Sequence, residues 1–220
     1  MHPTALTKSN VLLSQPLPEW LSHPVLSRFE NLGVFTEDEA SETEEARTDD
    51  SVVNPSASTG TPHRAANHVL INEYPPGQGI MPHEDGAAYA PVVATVTLGS
   101  HCVLDLYEKR DLDETDTDGE DSTSVLTSSD KKQPRYRILQ ERCSLLVTRG
   151  SAYKSLIHGI ADVHEDRDLD VDHVVNWHLL SDHPAYESGT KTRELRISLT
   201  FRDVIKVSNV GSRLFGKPKT

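Results

Sequence analysis

The amino-acid sequence predicts a mainly β fold, an all-β sandwich or jelly-roll barrel, with one N-terminal helix and acidic loop insertions. Three observations carry the prediction. Seven or eight short stretches alternate in polarity or run rich in β-branched residues, and turn-forming residues separate them. A helical period appears in one stretch. Two acidic runs interrupt the pattern with almost nothing apolar to bury. At 220 residues the chain suffices for one domain with a real core. Its 35% apolar and 5% aromatic content leaves part of it as solvated loop.

Residues 17–35 read as a helix and its exit. Leu17, Trp20, Leu21, Val25, Phe29 and Leu32 roughly follow the 3.6 period and form a face expected to pack on a core. Ser14 or Pro16 marks the entry, Gly33 sits where a helix stops, and Pro24 kinks or splits the pattern. Residues 37–66 are polar and acidic, punctuated by Pro55, Gly60 and Pro62, and read as a flexible linker.

Strand texture begins at residue 67. HVLINEY (68–74) is a strand, and VVATVTLG (92–99) puts Val92, Ala94, Val96 and Leu98 on one face. HCVLDLYE (101–108) follows across a Gly99-Ser100 turn and reads as its hairpin partner. RYRILQ (135–140) and SLLVTRG (144–150) read as a second pair. HGIADV (158–163), VVNWHLL (174–180) and ELRISLTFRDV (194–204) complete the set. The acidic stretch 109–134 becomes a hairpin loop with an insertion. The expected organisation is a helical segment at 1–36 packed on the barrel, a linker at 37–66, the β domain at 67–206 and a tail at 207–220.

The net charge of −12 is concentrated. Residues 37–50 carry −7, residues 111–121 carry −7, and the remainder of the chain carries +2. The folded part is thus nearly neutral, and bulk charge neither excludes nor favours a polyanionic partner. No run of 18 apolar residues predicts a membrane span, and the first twenty residues lack the layout of a secretory signal. Two cysteines, Cys102 and Cys143, make neither a disulfide framework nor a cysteine zinc site. A reducing location, cytoplasmic, nuclear or both, is the expectation.

The segment INEYPPGQGIMPHEDG (71–86) leaves a strand and delivers His83-Glu84-Asp85. On an extended chain residues 83 and 85 point to one side, so an imidazole and a carboxylate can share a metal ion. A second histidine would complete a facial triad, which suits non-haem Fe(II). The downstream candidates are His101, His158, His164, His173, His178 and His183. His158 is the best placed, because it follows a strand and a turn and precedes Gly159, which permits close backbone approach. His164 and His173 sit in an acid-rich loop, His101 reads as an ordinary strand residue, and His178 is either core or surface. In the last strand Arg196 and Arg202 share parity with Ser198 and Thr200, opposite to Leu199 and Phe201. Such a basic face suits a dianion held by guanidinium forks. Taken singly, a surface His-x-Asp pair and an edge strand with its basic face in water explain the same residues.

Together, Asn72-x-Tyr74, His83-x-Asp85, His158 and Arg196-x-x-x-x-x-Arg202 resemble, in order and spacing, the AlkB family of Fe(II)- and 2-oxoglutarate-dependent dioxygenases. NHVLINEYPPGQGIMPHEDG, VTLGSHCVLDLYE, SLLVTRGSAYKSLIHGI and RISLTFRDV look closest to the homologue-six branch. The resemblance covers roughly residues 16–35 and 67–204. It implies a double-stranded β-helix, a jelly-roll, with His83, Asp85 and His158 as iron ligands. It further implies Arg196 on the distal carboxylate of 2-oxoglutarate, Tyr74 and Asn72 beside the co-substrate, and Arg202 near its metal end. Ser198 stands where some members have asparagine. About fifteen residues precede Pro16, so the N-terminal nucleotide-recognition lid of the family is expected to be reduced. The implied activity is oxidative demethylation of alkylated RNA or DNA, with dioxygen and 2-oxoglutarate as co-substrates. A dioxygenase acting on a protein or small molecule, and a non-catalytic metal-binding module, remain alternatives. Glu84, Tyr89, Tyr153 and Lys154 are candidates for touching substrate.

Overall fold

The computed structural model describes residues 11–13, 17–36, 63–109 and 133–208. Of the expected linker at 37–66, residues 37–62 lie outside the described residues, as do the acidic run at 111–121 and the tail beyond 208. In chain order the elements are β1 (Leu12–Leu13), α1 (Glu19–Leu21), a π turn (Ser22–Leu26), α2 (Ser27–Asn31), β2 (His68–Tyr74), β3 (Ile80–His83), β4 (Tyr89–Gly99), β5 (Cys102–Glu108), β6 (Tyr136–Gln140) and β7 (Leu145–Arg149). There follow α3 (Gly150–Ser155), β8 (Leu156–Ile160), β9 (Glu165–Arg167), 3-10 turns at Trp177–Leu179 and His183–Tyr186, β10 (Thr190–Thr192), β11 (Arg196–Val204) and β12 (Val207–Ser208). No helix among the described residues is long and apolar enough to cross a membrane.

The chain forms two compact units: residues 1–69, 86–92 and 201–220, and residues 70–85 and 93–200. In the first, the expected helix is split around Pro24, which lies inside the π turn. Proline has no N–H to donate and clashes with the preceding turn, so the α-helical ladder breaks there. The interruption rotates the face: Leu21 and Phe29 are buried, whereas Trp20 and Leu32, expected on the same stripe, are exposed. The helix ends on Gly33 at φ +63°, with Gly33 N–H donating to Glu30 O and Val34 N–H to Phe29 O, both at 3.0 Å. This paired closure needs the left-handed conformation that glycine adopts freely. Phe29 then packs edge-on against Phe201, with ring centroids 4.9 Å apart. The last residues of the expected linker are not free but engaged within the same unit. Fully buried Asp203 accepts hydrogen bonds from the His63 N–H (2.6 Å), the Arg64 N–H (3.1 Å) and Asn67 Nδ2 (3.2 Å).

The jelly-roll is made of two four-stranded sheets. One sheet has the order β2-β11-β4-β7 and the other β3-β8-β5-β6. Successive strands thus alternate between sheets except at β5–β6, which is the ordering of a double-sheet jelly-roll. β5 and β6 pair antiparallel, Cys102 opposite Gln140 through Leu106 opposite Tyr136, so the acidic stretch does join two hairpin partners. The two expected short hairpins are corrected. β4 and β5 lie in different sheets, as do β6 and β7. Gly99 (φ +77°) and Cys143 (φ 62°) turn the chain from one sheet to the other. At Gly99 an added Cβ would meet Leu195 O at 2.3 Å, so only glycine fits.

The strict alternation expected for 92–99 is also corrected: Val93, Ala94 and Thr97 are the buried residues. In β5, Cys102 and Leu104 cluster with Ile160, Tyr74, Ile80, Leu106, Ile138 and Leu146, drawn from both sheets. The opposite face, from Val103 and Leu139, packs under Leu169, Val174, Leu180 and Tyr186. The segment read as a strand at 174–180 is therefore a cover of turns over the second sheet. Its apolar residues satisfy that packing without strand pairing.

Candidate active site

The site is built where β3 meets β8. Ile80 lies opposite Ile160, and His83 opposite His158, so β3 carries one extra residue between them. That bulge bends the strand and re-aims the side chain after it. The two imidazoles consequently face each other, with ring centroids 4.5 Å apart. Glycines permit the close strand approach. A Cβ on Gly159 would lie 3.0 Å from Pro82 N and 3.1 Å from Ile80 O, and one on Gly79 would lie 2.1 Å from Ile160 O. The use of Gly159 expected from sequence is thus realised.

His83 Nδ1 sits 2.8 Å from the Met81 carbonyl oxygen. A carbonyl can only accept, so Nδ1 carries the proton and donates, leaving the lone pair on Nε2. This is the arrangement by which backbone carbonyls orient metal-binding histidines. Asp85 lies two residues beyond His83 and is half-buried, like His83 and His158. Among the described residues no three His, Cys, Asp or Glu side chains converge at metal-holding separations. The fold therefore brings two of the three expected ligands together and leaves Asp85 in the adjoining loop. The donor types, two imidazoles and a nearby carboxylate, are those of a non-haem Fe(II) site.

Arg196 opens β11 and is buried, 3% exposed. β11 is an inner strand, so the reading of a solvated edge strand does not apply. Its Nη2 donates to Thr97 Oγ1 at 3.0 Å and, longer, to Gln140 Oε1 at 3.4 Å. Its guanidinium lies 5.3 Å from the centre of the Tyr74 ring. Its Nε is buried without a hydrogen-bond partner, and no carboxylate among the described residues pairs with it. A buried cation with an unanswered donor is costly and suits an incoming anion. Asn72 Nδ2 donates to the Tyr74 hydroxyl at 3.3 Å. Ser198, on the same strand as Arg196, is buried.

Arg202 belongs to the first unit, where its guanidinium stacks 4.8 Å from the Tyr89 ring centre. There His68 is held below the ordinary histidine value, by burial first and by Arg202 second. Among the other expected substrate contacts, Glu84 is ion-paired with Lys109, and Tyr153 and Lys154 lie on α3. His173 pairs with Asp170 at the surface, and His178 lies in the first 3-10 turn.

Sequence reasoning missed two polar groups. Thr97 and Gln140 occupy core positions, and their hydroxyl–carbonyl hydrogen bond is 3.0 Å. Their one signal was parity: Gln140 shares the inward face of β6 with Ile138. The second group is a buried network in which Arg193 grips Asp166 through two bonds of 2.8 and 2.6 Å and His101 Nε2 lies 3.2 Å from the same carboxylate. His101 is thus more than an ordinary strand residue. Burial pushes the Asp166 carboxyl up, but the hydrogen bonds and charges of Arg193 and His101 outweigh it and hold it below the usual carboxylate value. Cys102, fully buried, is pushed up to about 11, mainly by burial.

The profile of the 2OG-Fe(II) oxygenase superfamily matches residues 23–202. A protein of Danio rerio described as "Probable RNA/DNA demethylase ALKBH6" is 42% identical over 144 residues, which are 66% of this chain and 56% of that protein. The chain thus spans little more than half the length of that relative. A solved chain described as "The structure of OsALKBH1" overlays with a TM-score of 0.43 at 16% identity, covering 87% of this chain and 66% of that one. The superfamily match runs through most of the chain, from the split helix to β11, and the chain belongs to the 2OG-Fe(II) oxygenase superfamily.

Proposed function

We propose that this chain is an Fe(II)- and 2-oxoglutarate-dependent dioxygenase that oxidatively demethylates alkylated RNA or DNA. The observation that carries the reading is Arg196, a buried guanidinium with an unanswered Nε, in the same unit as the His83–His158 pair. His83 and His158 would hold the iron through imidazole nitrogens. Asp85, two residues along the chain from His83, would supply the carboxylate. Bound Fe(II) supplies the redox chemistry that couples decarboxylation of 2-oxoglutarate to oxidation of a C–H bond. The protein's part is orientation and shielding. Arg196 would hold the distal carboxylate of the co-substrate by a charge-assisted contact. Tyr74 covers one face of the guanidinium, and Asn72 fixes the tyrosine hydroxyl. The apolar cluster around Leu104, Leu106 and Ile160 keeps water from the interior between the sheets.

The nucleic-acid substrate is supported by the relative described as an RNA/DNA demethylase. Incubation with Fe(II), 2-oxoglutarate and N-methylated oligonucleotides should yield succinate and formaldehyde together. Succinate without formaldehyde would favour a second reading, hydroxylation of a protein or small molecule, to which the two acidic runs of −7 each point. No succinate under any condition would contradict the dioxygenase assignment.

A further inference from the structure

We infer that Thr97 and Gln140 are positioning residues that set the preference of the co-substrate pocket for a dicarboxylate. The inference rests on the reading of Arg196 as the co-substrate anchor and goes beyond it, to the residues that hold the anchor in place.

A guanidinium has five N–H donors and no acceptor. Buried at 3% exposure, Arg196 needs partners, and protein interiors ordinarily supply a carboxylate. The contrast lies close by. Arg193, three residues earlier, donates to both oxygens of Asp166 from Nε and Nη2 and to Ala161 O from Nη1 at 2.6 Å. Arg196 receives two neutral oxygens, Thr97 Oγ1 and Gln140 Oε1, both on Nη2. Thr97 donates its own proton to Gln140 Oε1, which leaves its oxygen lone pairs for Arg196. Both side chains are almost wholly buried, at 0% and 3%, so this geometry is fixed by packing. The two oxygens occupy one corner of the fork and leave the Nε unanswered. Neutral acceptors hold the guanidinium without cancelling its charge. An incoming carboxylate therefore meets a preorganised full cation, where a carboxylate in place of Gln140 would compete with it.

The consequence is a division of labour within one pocket. Removing the positioning pair should weaken recognition of the distal carboxylate and leave the keto acid end untouched. The probes are 2-oxoglutarate and 2-oxopentanoate, which has a methyl group where 2-oxoglutarate has the distal carboxylate. Their dissociation constants are measured calorimetrically on Mn(II)-loaded full-length protein, and their ratio is the readout. Thr97→Val should lower the preference for the dicarboxylate about ten-fold, the scale of one charge-assisted hydrogen bond. Gln140→Glu, which conserves shape, should lower it at least as much by neutralising the anchor. Thr97→Ser should restore it. A purely structural role would weaken both acids alike and keep the ratio, and an unchanged ratio in Gln140→Glu overturns the inference even if Thr97→Val fails to fold. If the unaltered protein itself shows no preference for the dicarboxylate, the anchor reading of Arg196 falls instead, and the two failures are told apart.

Discussion

The proposed chemistry of this chain rests on a few side chains whose settings differ sharply. His83 is oriented by a backbone carbonyl, His158 is its cross-strand partner, and Arg196 is a buried cation held by neutral oxygens. Truncating Arg196 to alanine should raise the 2-oxoglutarate concentration needed for half-maximal turnover at least ten-fold, with a smaller change in the maximal rate, because a bidentate charge-assisted contact is lost. Steady-state succinate formation against 2-oxoglutarate concentration reads this out. Gly159→Ala tests the strand approach that brings the histidines together. Its Cβ would press on Pro82 N and Ile80 O at 3.0–3.1 Å, and the neighbouring atoms are backbone. A loss of about 1–3 kcal/mol in urea unfolding is expected, and a neutral result would show that the strands have room to part. At this scale the sequence was informative where spacing and residue type coincide. The two histidines meet, far apart in the chain, where Gly159 beside His158 suggested a close backbone approach. Thr97 and Gln140 were hidden because a polar residue in an alternating strand shows its facing only once its partner is known.

The elements show why strands were easier to read than their pairing. Alternation is local, and β2, β4, β5, β6, β7 and β11 appear close to where it placed them. Sheet membership is not local. A jelly-roll crossing at Gly99 or Cys143 uses the same positive-φ turn as a hairpin, so the sequence around it cannot say which sheet receives the next strand. Short apolar runs are ambiguous for the same reason, and VVNWHLL becomes a cover because Val174 and Leu180 find a sheet face to bury against. The Arg193–Asp166–His101 network lies beside that cover, with the His101 and Tyr186 rings 5.9 Å apart. The folded-state value of Asp166 lies below the unfolded one, so its contribution is complete above the ordinary carboxylate value and is lost as pH falls through the lower, folded value. Stability should decline from about pH 4 downward, and less steeply in Asp166→Asn. That variant, which leaves buried Arg193 without its counter-charge, should already be about 3–5 kcal/mol weaker at pH 7. Urea midpoints against pH measure both effects. Parallel curves for the two proteins would remove Asp166 from the acid response.

For the molecule as a whole, charge distribution matters more than the net value. The run at 111–121 carries −7, while the chain outside the two acidic runs carries +2. Replacing the acids of 111–121 by their amides should tighten binding to a methylated oligonucleotide at low salt, and the gain should shrink as salt is raised. Fluorescence anisotropy at two ionic strengths checks this, and equal affinities would show that the run lies beyond electrostatic reach of the substrate. Superfamily membership covers residues 23–202 and brings Fe(II) and 2-oxoglutarate with it. In the proposed site a single ferrous ion is held by His83, Asp85 and His158. The most direct measurement is the iron stoichiometry of the anaerobically loaded protein after dialysis, with His83→Ala, Asp85→Ala and His158→Ala beside the unaltered chain. One iron per chain, lost or sharply reduced in each variant, is the predicted result. Full retention in any of the three would contradict the ligand set.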